Sequence, residues 1–302
     1  MKCYRTKKMI GLGFVFAVSG ILAGCSTGEP SGDLMADYRR TDLTIGGDGN
    51  VENPGENSVP VTVSGGGERL YEDGTLAIND FSVRLMKECF ENNKNVLISP
   101  LSVISALGMT ANGAKGTTLS QMESVFRMDI PNLNTFLKEY RENLPDGEKY
   151  KMNLANGIWF RDSEGFAVNE AFLQTNADYY NAGLYKAPFD HTTKEEINGW
   201  VKQNTDGMIQ DILNEVPKDA MMYLVNALAF DGEWQTIYKE SRVRDGEFQT
   251  ENGVKQNITM MYSDEKVYLE DEKVQGFCKY YADKKYCETH FYNYDCCVMF
   301  LL

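Results

Sequence analysis

Residues 221–230, MMYLVNALAF, are the stretch on which the reading of this chain turns, and within it Asn226 alone is polar. An apolar run of this length, with no alternation, reads as a strand buried on both faces. Working back from it, Ile197, Trp200 and Val201 recur at helical spacing behind Thr193 and Glu196, a capping-box pair. They predict a helix over about 194–204, closed by Gly207. A short strand over 183–189, helical spacing at Val168, Ala171, Phe172 and Thr175, and alternation of Met152, Leu154, Ile158 and Phe160 over 151–161 come before it. Three helices open the folded region. The first covers 76–91 on Ile78, Phe81, Leu85 and Cys89, and Asn92 to Asn95 break it. The second enters at Ser99-Pro100, a serine cap followed by proline at the first helical position, and runs to Ala111. Thr118 and Gln121 start the third. Beyond Trp234, short β-like runs alternate with turns such as Asn252-Gly253. Helices, then mixed elements, then strands define an α+β domain.

The N-terminus reads as an address. Lys2, Arg5, Lys7 and Lys8 precede a charge-free run, Met9 to Leu22, too short for a comfortable membrane span, which needs about 20 apolar residues. Residues 1–24 are therefore expected to be an export signal. Leu22-Ala23-Gly24-Cys25 resembles the bacterial lipobox, which makes Cys25 the expected lipidation site and the first residue of the mature chain. Residues 25–69 are rich in Gly, Ser, Pro, Asp and Asn, a composition that cannot bury enough apolar surface to offset chain ordering, and are read as a flexible tether. Gly65-Gly66-Gly67 lies in this linker without the flanking strand and helix that a phosphate loop requires. The expected location is outside the cytosol, lipid-anchored at the outer face of a bacterial membrane.

Composition narrows the function. The 302 residues are 42% apolar and 25% charged, as in globular proteins. Thirty bases face 44 acids, and four of the bases lie in the leader. So acidic a chain repels phosphate backbones, which argues against a nucleic-acid partner. The two histidines, His191 and His290, stand in no Ser/His/Asp or metal-ligand pattern, so neither an enzyme nor a metal site is expected and no cofactor is implied. Asn257-Ile258-Thr259 matches a glycosylation sequon, a tripeptide common by chance.

Several segments, in order, carry a resemblance. NVLISPLS (95–102), LANGIWF (154–160), INGWVKQNTDGMI (197–209) and VNALAFDGEW (225–234) are similar to successive motifs of the serpins, the serine-protease-inhibitor family. Phe248, Gly253 and Met260-Met261 follow at family spacing, and the register holds over about residues 70–281. Tyr238, Val243 and Tyr280-Tyr281 depart from the usual Phe, Thr and Pro-Tyr. The resemblance implies the serpin fold, with N-terminal helices, a large mixed sheet A and part of sheets B and C. It also implies a suicide-substrate mechanism, in which serine or cysteine proteases cut a loop that then inserts into sheet A. By the same resemblance Ser99, Ser102, Asn156 and Asn226 form the polar cluster where that sheet opens. Trp234 marks the start of loop insertion, and Trp200 lies on a helix crossing the sheet.

A serpin continues well beyond the position of Leu302. The reactive loop and the fifth and sixth strands of sheet A are not in this sequence, so these 302 residues are expected not to inhibit, and Asn226 is expected to lack partners from the fifth strand. Residues 70–286 form the expected domain. From Cys287 the sequence, CETHFYNYDCCVMFLL, departs from the family and is read as an aberrant tail, consistent with a frameshift or gene-end artefact. Four of seven cysteines (Cys278, Cys287, Cys296, Cys297) fall in the last 25 residues, with no disulfide framework implied and spacing poor for a metal. The rival reading is a non-inhibitory surface-binding lipoprotein on a serpin-derived scaffold.

Overall fold

The computed structural model describes residues 8–18, 67–91, 96–250, 252–270, 272, 274–282, 284, 286–292 and 297–301, of which 8–18, 67–69, 290–292 and 297–301 as backbone alone. Helix α1 (Gly67–Cys89) starts well before the predicted position. Its early turns are held by packing: Tyr71 lies 5.7 Å from Phe136, whose ring occupies the space a side chain would need at Gly74. Helix α2 (Pro100–Ala111) begins as expected, with the Ser102 amide donating to Ser99 Oγ at 3.3 Å. In α3 (Gly116–Phe126) the Thr118/Gln121 box does not form. That helix starts earlier, behind Lys115, with no side-chain cap. A fourth helix, α4 (Ile130–Glu142), was not anticipated. Asp129 caps it through the Asn132 amide at 2.9 Å, and Leu133, Phe136 and Leu137 are its buried face. The expected break at 92–95 lies outside the described residues.

The main sheet has the order β1-β4-β2-β3, from β1 (Lys8–Val18), β4 (Met222–Gly232), β2 (Tyr150–Arg161) and β3 (Gly183–Ala187). Strands β2 and β3 run parallel, and the other neighbours are antiparallel. Helix α5 (Glu170–Tyr180), capped by Asn169, connects β2 to β3. Helix α6 (His191–Asn204) follows, and its cap is Asp190, not Thr193, whose hydroxyl instead accepts from the Phe189 amide at 2.9 Å. Both faces of the sheet are covered, as MMYLVNALAF demanded. Ile158, Phe160 and Leu224 pack with Ile104, Met109 and Leu133 of the helical layer. On the opposite face Trp159, Tyr223 and Val225 pack with Ile197 and Val201 of α6.

Residues 9–18 of the apolar run read as the core of an export signal lie in strand β1 in the structure, with Lys8 opposite Gly232 and Val18 opposite Met222. Strand β4 pairs with β2 on one side only and would otherwise present a row of open backbone groups, which an extended apolar segment satisfies. Past Trp234, β5 (Val243–Gln249) and β6 (Lys255–Met261) form a hairpin turned at Gly253, whose φ is 76°. A second antiparallel sheet, in the order β10-β9-β8-β7, comprises β7 (Val267–Glu270), β8 (Gln275–Tyr280), β9 (Cys287–Tyr292) and β10 (Cys297–Leu301). Its last two strands come from the segment read as an aberrant tail. Among the described residues no helix is long and apolar enough to cross a membrane.

Candidate functional site

The centre of the main sheet carries an unusual polar load. Asn156 of β2 and Asn226 of β4 face each other in register, and both are buried. Asn226 Nδ2 donates to Asn156 Oδ1 at 2.8 Å, and Asn156 Nδ2 donates to the Tyr180 carbonyl at 2.8 Å. Asn226 Oδ1 accepts from nothing among the described residues, although it is buried. A buried acceptor without a donor costs about 1–3 kcal/mol, so this oxygen is a local source of instability. Ser99 and Ser102 are buried in the helical layer that covers this face, with their hydroxyls 3.0 Å apart. The four cluster residues thus form two pairs, a serine pair and an asparagine pair, and no hydrogen bond joins one pair to the other among the described residues.

The asparagine pair is one end of a longer chain that reading the sequence missed. Tyr180 Oη donates to Asn134 Oδ1 at 2.7 Å, and Asn134 Nδ2 donates to Asn112 Oδ1 at 2.8 Å. Asn112 Nδ2 in turn donates to Asn176 Oδ1 at 3.1 Å, and Asn176 Nδ2 donates to the Phe172 carbonyl at 3.0 Å. This buried relay ties the sheet to α4, α5 and the end of α2. Burial pushes the Tyr180 phenol far above the usual tyrosine range, so it remains a donor. The only signal in the sequence was an asparagine on an apolar helix face, as Asn134 stands between Leu133 and Phe136.

Trp200 sits on α6 against the opposite face, edge-on to Trp159 at 5.3 Å. The helix is pinned to the sheet by polar ties as well. Trp159 Nε1 donates to Glu196 Oε1 at 3.0 Å, and Asn153 Nδ2 donates to the Asn204 carbonyl at 2.7 Å. Asn198, also missed, holds the segment after α6 by accepting from the Ile212 and Leu213 amides at 3.0 and 2.9 Å. Trp234 lies just beyond the end of β4. It stacks on Tyr281 at 4.5 Å and 11°, while Lys279 Nζ lies 5.4 Å above its ring and pairs with Glu265. Tyr281 Oη donates to Glu288 at 2.9 Å, and burial with that carboxylate alongside drives its phenol far above the usual range. His191 lies exposed at the start of α6, and among the described residues no group of three or more His, Cys, Asp or Glu could hold a metal. Cys25 lies outside the described residues.

The centre of the sheet thus carries a buried, partly unsatisfied amide pair, with a pinned helix on the opposite face and a stacked tryptophan at the strand end. The family model of the serpins, described as serine protease inhibitors, matches residues 76–282. Human neuroserpin is 32% identical over 204 residues, covering 64% of this chain and 49% of its own. Leukocyte elastase inhibitor of Xenopus tropicalis is 32% identical over 208 residues, covering 65% of this chain and 54% of its own. The native state of tengpin, a thermophilic serpin, superimposes with a TM-score of 0.72 at 36% identity, over 88% of this chain and 63% of that one. The chain belongs to the serpin family, and its α+β architecture is the serpin fold. It spans about half the length of the curated relatives it matches.

Proposed function

We propose that this chain provides the N-terminal and central body of a serpin-type protease inhibitor, held outside the cell by lipid on Cys25. The carrying observation is the Asn156–Asn226 pair with its orphaned acceptor, set between the two strands at the centre of the sheet. A sheet that must admit a strand needs hydrogen bonds that can be exchanged during opening, and amides and hydroxyls supply them. In this reading Ser99 and Ser102 support the opening from below, α6 with Trp200 shifts to let a strand pass, and insertion starts at Trp234. The partners are serine or cysteine proteases. One relative is by name an inhibitor of leukocyte elastase, which makes that enzyme the first to try.

In this reading the 302 residues supply the platform into which a reactive loop would insert. Incubated with leukocyte elastase, the purified chain is expected to give no covalent complex that survives denaturing electrophoresis. Such a complex would overturn this part of the reading. Replacing Cys25 with Ser is expected to move the exported chain from the membrane fraction to the soluble fraction, and unchanged membrane retention would contradict lipid anchoring. The second reading, a non-inhibitory binding lipoprotein, draws support from a cavity of about 370 Å³ lined by Tyr238, Met261, Tyr262, Ser263, Glu265 and Phe277. A ligand seated there would raise the thermal midpoint of the chain, by an amount that grows with the logarithm of its concentration above the dissociation constant.

A further inference from the structure

Cys278 and Cys287 lie far from the sheet centre, on β8 and β9. The register sets Cys278 opposite Thr289 and Cys287 opposite Tyr280. Residues two apart on a strand share a face, so the two cysteines are diagonal neighbours on one surface of the pair. Their sulfurs converge on a single hydroxyl: Cys278 Sγ is 3.5 Å and Cys287 Sγ 3.8 Å from Thr289 Oγ1. Both are half-buried free thiols. Burial raises the Cys287 thiol, Thr289 lowers it, and Cys278 beside it raises it again, so the two sulfurs sense each other directly.

We propose that Cys278 and Cys287 are a reversible dithiol–disulfide pair that staples β8 to β9 in an oxidising environment. The chemistry needs a disulfide oxidant, such as oxidised glutathione or an oxidoreductase of the extracytoplasmic space. One cysteine thiolate attacks a sulfur of that oxidant, forming a mixed disulfide and expelling one thiolate. The second cysteine then attacks the protein-side sulfur, closing the Cys278–Cys287 bond and expelling the other thiolate. Two protons leave the cysteines, and two electrons reduce the oxidant to two thiols. Diagonal cross-strand positions stand about 7–8 Å apart at Cα, just beyond the usual disulfide span of about 4.4–6.8 Å, so closure draws the two strands together. The staple would act on the platform under Trp234. Strand β8 leads into Tyr281, which stacks on Trp234, and β9 carries Glu288, which accepts from Tyr281. Oxidation would hold that donor and acceptor in register.

The pair is testable in the whole chain. The folded protein is treated with oxidised glutathione, its remaining thiols are alkylated, and it is digested with trypsin without reduction. Cleavage after Lys273, Lys279 and Lys285 separates Cys278 (residues 274–279) from Cys287 (residues 286–302). The proposal expects these peptides joined, two hydrogens lighter than their sum, with fragmentation placing the link on Cys287. The link should persist in the Cys296→Ser/Cys297→Ser variant and vanish in Cys287→Ser. The oxidised chain should melt several degrees above the reduced one, a difference absent from Cys287→Ser. A link through Cys296 or Cys297, or a Cys278 still fully alkylated after oxidation, would overturn the proposal.

Discussion

At the scale of the residue, the amide pair in the main sheet makes a quantitative claim. Asn156→Leu strands both the Tyr180 carbonyl and the Asn226 amide, and each stranded group is worth about 1–3 kcal/mol. Asn226→Leu strands Asn156 Oδ1 but also removes the orphaned oxygen, so it should cost less. The double variant should cost clearly less than the sum, because losing both partners leaves neither unsatisfied. Urea unfolding of the four chains checks this, and simple additivity would contradict a coupled pair. Two tyrosines give a pH dependence. The folded state holds the protons of Tyr180 and Tyr281 where the unfolded chain releases them, near pH 10. Their contribution is fully present below about pH 10 and is lost as the pH rises above it. The thermal midpoint should therefore fall on the alkaline side, less steeply in Tyr180→Phe and Tyr281→Phe than in the parent.

At the scale of the element, close approach replaces periodicity as the deciding force. A Cβ at Gly108 of α2 would lie 2.3 Å from Tyr180 Oη, and that hydroxyl is fixed by its bond to Asn134. Gly108→Ala is expected to cost about 1–3 kcal/mol through overpacking. Gly199→Ala on α6 meets nothing within 4 Å and should stabilise by about 0.4–1 kcal/mol through helix propensity and a stiffer unfolded chain. Chemical denaturation of both variants separates packing from propensity. The same contrast explains what could be read from the sequence. MMYLVNALAF, the alternation in β2 and the Ser99 cap were legible because each signal is local. The Thr118 and Thr193 boxes were misread because a spacing of three does not say which residue leaves the helix; the chain leaves at Lys115 and at Asp190. Helix α4 and the early turns of α1 were missed although Asp129 and the Leu133/Phe136/Leu137 spacing were present, and α1 gains its start from Phe136, a partner distant in sequence. In the site, Asn226 stood out as the polar residue of an apolar run. Asn112, Asn134 and Asn176 did not, because a buried relay is defined by what converges in space.

At the scale of the whole molecule, the edge of β4 governs behaviour. In the full chain it is paired along its length by β1, a segment that an export signal peptidase would remove with the leader. A chain starting at Cys25 is therefore expected to show fast amide exchange at alternate positions of 222–232 and to self-associate as its concentration rises, since an open edge templates pairing. The full chain should stay protected there, and identical exchange in both would contradict the pairing. The most direct test of the central claim, that this is a working serpin body, is to complete it. Residues 70–281 would be joined to the C-terminal part of the Xenopus tropicalis leukocyte elastase inhibitor, cooperative unfolding of the chimera verified, and the product mixed with leukocyte elastase. The account expects a covalent complex that survives denaturing electrophoresis, whereas a folded chimera that elastase cleaves without being trapped would contradict it.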